Sequence, residues 1–205
     1  MERVSTAVVD RASASRPMHA GEESGDSFLV RALPEAAMVA VVDGLGHGPE
    51  AAVTAREAIG LLADPDCAHP MTALARCHEG LRASRGVVLS LAWFDVGRET
   101  LTWTGIGNVE GLVVRARAGV TPRRESMLRR GGVVGRQLPL PHAGILPVMP
   151  GDTLVFATDG VDPRFARALE PEDSLQRTAD RVLADYGTGG DDALVVTVRY
   201  RGADA

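Results

Sequence analysis

Two apolar runs, VAVVDG at residues 39–44 and LVFATDG at residues 154–160, drive a strand-like stretch straight into an Asp-Gly pair. A carboxylate at the end of a buried strand loses its hydration, which is costly unless something pairs with it. Two further acidic segments sit beside glycine at predicted strand ends, Gly25-Asp26-Ser27 and Gly190-Asp191-Asp192. Any one of them alone reads as ordinary turn chemistry, because Asp bonds its own backbone and Gly accepts positive φ. Four of them call for a joint explanation. Arginine is one way to satisfy such a carboxylate. If instead the fold gathers them, each close pair repels by about 1 to 4 kcal/mol at intermediate dielectric. A divalent cation removes that repulsion, and all-oxygen ligation suits magnesium or manganese. The glycine that follows Asp43 and Asp159 would let a main-chain carbonyl approach the ion.

Around these anchors the hydrophobic period alternates between strand and helix. Residues 4–9, 27–33 and 38–42 read as strands. A helix over 50–63 follows, opened by Gly46-His47-Gly48-Pro49 with Pro where a first turn tolerates it, and Ala51, Ala55, Ala58, Ile59 and Leu62 recur at helical spacing. Asp64-Pro65-Asp66 breaks it, and a second helix covers about 71–83. From Gly86 the period returns to two, giving strands at 87–96, 100–105, 112–116, 125–130, 143–148 and 153–157. A third helix over 172–186 stops at Gly187, and 194–200 is a closing buried strand. Strands, a helix pair, many strands, a helix and a last strand do not alternate as parallel βαβ units would. They predict an α+β fold of antiparallel sheets with helices on the outer faces, as one domain over residues 1–205.

Composition excludes several classes. The 205 residues are 45% apolar and 24% charged, which suits a packed soluble domain. All 22 basic residues are arginine, the net charge is -5, and no Arg run exceeds the pairs Arg123-Arg124 and Arg129-Arg130. A nucleic-acid surface would need a basic stripe. The N-terminus MERVSTAVVD lacks the apolar run of a signal peptide. No segment approaches the roughly 20 apolar residues of a membrane span, so a cytoplasmic location is expected. Cys67 and Cys77 lie beside His69 and His78, but a helix over 70–85 cannot wrap all four around one zinc ion. They are expected as buried thiols, and neither lies in a phosphate-binding loop that would support a phosphocysteine route.

The order GDSF, VVDGLGHG opening a helix, GIGN, ATDG and GGDDALVV resembles the PPM (type 2C) protein phosphatases, in the bacterial branch that contains SpoIIE and the stressosome phosphatase RsbX. The resemblance runs from about Asp26 to Val198. It implies two central antiparallel sheets flanked by helix pairs, with two Mn²⁺ or Mg²⁺ ions at one edge. Carried over by position, Asp43 would bridge the ions and the Gly44 carbonyl would bind one of them. Asp159 and Asp191 would hold the other, and Asp26 would act directly or through water. Asp192 would stand behind the ligands, while Gly105, Gly107 and Asn108 would shape a nearby loop. The implied catalytic set is Asp43, Asp159 and Asp191, serving hydrolysis of phosphoserine or phosphothreonine by a water between the ions. The implied partner is a phosphorylated regulatory protein, of the stressosome-scaffold or anti-sigma-factor-antagonist type. Gly21 stands where eukaryotic members carry a phosphate-gripping arginine, in agreement with the bacterial branch, and Leu194 where Ser or Thr is usual.

His47, just after the metal-binding turn, is a candidate general acid or simply a polar residue at a helix start. Trp93 and Trp103 alternate with apolar neighbours and read as core. Arg123, Arg124, Arg129 and Arg130 read as a solvated strand face. No long insertion suggests a lid over a small substrate, and with no sensor segment in sight, input is expected from other chains. The rival reading is a non-catalytic interaction domain on the same fold.

Overall fold

The computed structural model describes residues 8–33, 35–170 and 174–202. Its strands are β1 (Val9–Arg16), β2 (Asp26–Leu33), β3 (Ala36–Gly44), β4 (Val87–Asp95), β5 (Thr100–Ile106), β6 (Glu110–Val114), β7 (Arg124–Ser126), β8 (Gly144–Pro147), β9 (Thr153–Ala157) and β10 (Ala193–Tyr200). The helices are α1 (Pro49–Leu62), α2 (Pro70–Gly80), the single turn α3 (Phe165–Ala168) and α4 (Leu175–Tyr186). Two five-stranded sheets form, in the orders β1-β10-β9-β6-β7 and β2-β3-β4-β5-β8, and every ladder is antiparallel.

The layers follow from strand parity. On β3, Val39 and Val41 face the other sheet and meet Phe94, Phe156, Val196 and Val198. The alternate residues Met38, Ala40 and Val42 pack against Ala55, Ala58 and Leu62 of α1 and Leu74 and Cys77 of α2. On the far sheet, Val155, Ala157 and Val195 pack on Phe165, Ala179 and Val182 of α3 and α4. Strands covered on both faces must be apolar at every position, which is why VAVV and LVFA read as unbroken runs. The four layers are helix, sheet, sheet, helix, as the α+β expectation requires.

Some boundaries differ from expectation. The first strand is β1 at Val9–Arg16, beyond the expected 4–9, most of which lies outside the described residues. Its sequence VDRASASR is poor in β-formers, yet all eight residues pair with β10. The helix expected from 172 starts at Leu175, with Ser174 accepting from the Arg177 amide as its cap, and the expected residues 172 and 173 lie outside those described. β7 is only three residues long instead of the six expected over 125–130. Trp93 and Trp103 pack on the core, and Gly144 lets β8 pass against the Trp103 ring, where a Cβ would come within 2.3 Å.

Candidate functional site

Parity also places the carboxylates. β2 and β3 pair so that Asp26 lies directly across from Asp43. Both continue the inward-facing series of their strands, Phe28 and Val30 on one, Val39 and Val41 on the other. On the second sheet, Thr158 continues the inward series of β9 and Asp192 that of β10. All four side chains therefore meet at one end of the sandwich, where β2 starts, β3 and β9 finish and β10 starts. The two sheets are stitched there: the Thr158 hydroxyl donates to Asp26 Oδ2 at 2.7 Å and accepts from the Leu194 amide at 2.9 Å.

Asp192 is a strut. It is 5% exposed, and its two oxygens accept from the Met18 and Gly25 amides at 2.7 and 2.6 Å. Both oxygens thus hold the β1–β2 loop over the start of β10. The glycines after the aspartates have a reason the sequence reading did not give them. A Cβ on Gly44 would lie 2.3 Å from the Ala51 carbonyl of α1, and one on Gly160 would lie 2.0 Å from the Asp192 carbonyl. Both are needed for backbone to pack against backbone.

The electrostatics are one-sided. Burial, then Asp26, Asp159, Asp191 and Asp192, push the Asp43 carboxyl up to about 9. Asp26 rises to about 7, chiefly by burial, with the Thr158 hydrogen bond opposing and the other aspartates adding. Asp159, on the exposed rim, is raised by burial and by Asp191, against backbone hydrogen bonds that lower it. The charged groups acting on Asp43 are all carboxylates. Among the described residues, no three His, Cys, Asp or Glu side chains close around a single point. The aspartates converge on one edge with their charges held apart, as mutual repulsion requires. Desolvated, all-oxygen and mutually repelling, this donor set fits hard divalent cations.

Asp191 is half-buried, with Oδ1 accepting from the Asp192 amide at 2.8 Å. His47 is exposed in the β3–α1 loop, its ring edge-on to His19 with centroids 6.3 Å apart. The cysteine neighbourhood is structural: Cys67 and Cys77 are buried under α1 and α2, His69 caps α2, and His78 Nδ1 accepts from the Gly135 amide at 2.9 Å.

Sequence reasoning missed three contributors. Thr158 fixes Asp26, and strand parity was the signal that could have found it. Asn108 does more than shape a loop, since its amide donates to Asp159 Oδ2 at 2.6 Å. Arg129 is not on a solvated strand face: it lies past the end of β7, donates to the Asn108 carbonyl at 2.7 Å and pairs with Glu110 at 2.6 Å. Beside these residues a groove of about 490 Å³ opens, lined by Asn108, Glu110, Leu128 and Arg129 among others.

Residues 34–201 match the family described as stage II sporulation protein E (SpoIIE). A comparison with curated proteins returns no match. Among solved structures, one from work described as "The bacterial stressosome: a modular system that has been adapted to control secondary messenger signaling" superposes with a TM-score of 0.81. That pair is 24% identical, over 93% of this chain and 99% of the other. RsbX in complex with magnesium superposes with a TM-score of 0.84 at 17% identity, over 97% of this chain and 98% of RsbX. The PP2C phosphatase domain of SpoIIE from Bacillus subtilis, solved with a fragment of its regulatory domain, gives 0.77 at 20% identity, covering 96% of this chain and 65% of that one. These structures share the fold.

Proposed function

The chain belongs to the stage II sporulation protein E (SpoIIE) family, and on that premise we propose that it is a metal-dependent protein serine/threonine phosphatase. The observation that carries the reading is the aspartate cluster at one end of the sandwich, where Asp43 is half-buried and the charged groups acting on it are all carboxylates. Two Mn²⁺ or Mg²⁺ ions, when bound, would supply charge neutralisation for the phosphoryl group and a water ionised near neutral pH. Asp43 and the Gly44 carbonyl would hold one ion, with Asp43 shared. Asp159 and Asp191 would hold the other. Asp26, locked by Thr158, would accept a hydrogen bond from metal-bound water or ligate directly. His47, exposed in the β3–α1 loop, would donate a proton to the departing serine or threonine oxygen.

The substrate we infer is a phosphorylated regulatory protein, of the stressosome-scaffold or anti-sigma-factor-antagonist type. The solved structures described as stressosome work and as RsbX favour this class. Among the described residues no enclosing insertion covers the aspartate edge, so specificity would come from docking, with remote contacts positioning the phosphate.

The test is phosphate release from such a phosphoprotein, from a short phosphopeptide cut from it, and from p-nitrophenyl phosphate, before and after chelation. Activity should vanish with EDTA and return with Mn²⁺, and kcat/KM should be at least about tenfold higher on the folded protein. Loss of His47 should slow the phosphoprotein and spare p-nitrophenyl phosphate, whose leaving group needs no acid. Full activity after chelation would remove the metal mechanism. Equal kcat/KM on protein and peptide would remove docking. No release from any substrate would favour the non-catalytic alternative.

A further inference from the structure

The rim of the site carries a hydrogen-bonded chain that none of the roles above uses. Glu110 Oε2 pairs with Arg129 Nη2 at 2.6 Å. Arg129 Nη1 donates to the Asn108 carbonyl at 2.7 Å, and Asn108 Nδ2 donates to Asp159 Oδ2 at 2.6 Å. A carboxylate only accepts, so the amide nitrogen must be the atom that faces Asp159. We propose that Arg129 and Asn108 form a positioning relay that aims the Asp159 carboxylate at the metal it would hold, with Glu110 as its anchor. The inference rests on the metal-dependent reading above and adds residues to it.

Three features make this more than a surface hydrogen bond. Asn108 is clamped from both sides: the preceding Gly107 has φ +100 and donates to the Arg130 carbonyl at 2.8 Å, and its own carbonyl is held by Arg129. The backbone therefore delivers the amide in one direction. Gly105 leaves room for the arginine stem, since a Cβ there would come within 3.1 Å of Arg129 Cγ. The fork geometry also matters. One planar guanidinium reaches Glu110 and the Asn108 carbonyl together, which a lysine ammonium on a flexible stem does poorly.

Asp159 needs such help more than Asp43 does. Asp43 is set by the β2–β3 register and by burial, whereas Asp159 is exposed just past the end of β9. An exposed carboxylate repelled by Asp191 would rotate away from its neighbour. A neutral amide donor holds it without adding charge. Partners of this kind typically change metal affinity or activity by about 10- to 100-fold when removed.

The experiment titrates Mn²⁺ into chelator-stripped protein by calorimetry, for wild type, Asn108→Ala, Asn108→Ser, Arg129→Gln and the Asn108→Ala/Arg129→Gln pair. Turnover of p-nitrophenyl phosphate against Mn²⁺ concentration is measured alongside. Because Asn108 is exposed, its variants should fold, and the melting temperature in EDTA checks this. We expect two sites in wild type, and one of them weakened about 10- to 100-fold in Asn108→Ala and Arg129→Gln. The other site should be unchanged, and turnover should recover toward wild type at saturating Mn²⁺. The double variant should be no worse than Asn108→Ala alone, because both act through one bond. Equal weakening of both sites, or no weakening in a folded variant, would overturn the relay while leaving the phosphatase reading intact. A wild-type protein that binds no Mn²⁺ would overturn that reading first, and the relay with it.

Discussion

Strand β9 is bracketed by two aspartates that solve the same problem in opposite ways. Asp152 precedes it and Asp159 follows it, about 23 Å apart along an extended strand. At the Asp152 end the carboxylate is 3% exposed, and Arg115, itself 7% exposed, pairs with it at 2.9 Å. That guanidinium also pairs with Glu125 at 2.7 Å, while Asp152 accepts from the Ala116 and Met149 amides at 3.0 and 3.1 Å. At the Asp159 end five aspartates converge and the groups acting on Asp43 are carboxylates alone. One end is electrically finished within the chain. At the other the charges acting on Asp43 all have the same sign, and on the metal-dependent reading proposed above cations from outside would balance them.

The contrast breaks most sharply in activity. Asp43→Asn and Asp159→Asn should each lower turnover by about 100- to 1,000-fold or more. Each should leave the metal-free melting temperature unchanged or raised, because like-charge repulsion is relieved. Near-normal turnover with lowered metal-free stability would make these residues structural caps and erase the comparison. The opposite end should respond with the opposite sign. Arg115→Met strands Asp152 as a buried, unpaired charge and should cost about 3 to 5 kcal/mol in denaturant unfolding. Mn²⁺ affinity of the folded fraction should be unchanged, and a shift there would mean that the two ends are coupled.

The smallest effect sharpens the picture through pH. Asp43 binds its proton more tightly folded, at about 9, than its ordinary value of 3.8. Its contribution to metal-free stability is therefore fully present below the lower value and is lost as pH rises through the upper one. The unfolding free energy from denaturant titrations in EDTA should fall between about pH 5 and pH 9 by an amount on the order of 1 kcal/mol, with the midpoint falling alongside. Asp43→Asn should flatten that slope. A midpoint that rises with pH, with the same slope in the variant, would show that the cluster carries no such strain.

How much of this could be read from the sequence depends on whether a residue's partner lies nearby in the chain. The runs ending at Asp43 and Asp159 were legible because burial on two faces forces unbroken hydrocarbon, and the carboxylate then stands out. β1 was not, since DRASAS has no strand signal of its own and is held by eight-residue pairing with β10. α3 was missed because a single turn gives no periodicity. Thr158 and Asp26 meet across 132 positions, and Arg115 finds Asp152 across 37. Arg129 looked like solvated surface because the strand expected to carry it stops at Ser126, and the chain then turns toward the site. The aspartates, by contrast, were found by type and by neighbouring glycine, which survive without knowing the tertiary partners.

The order of strands in the sheet that carries β9 also sets a timetable. β10 lies between β1 and β9, so on a growing chain the first strand has no neighbour until the last has been made. Contacts of such long sequence separation close slowly. The β2–β3 hairpin can form early and bring Asp26 and Asp43 together, but Asp191 and the Asp192 strut arrive only with β10. A partly synthesised chain therefore exposes an unpaired edge and half a cluster of ligands. On the metal-dependent reading, competence to hold metal would be among the last properties acquired and would report that the sandwich has closed.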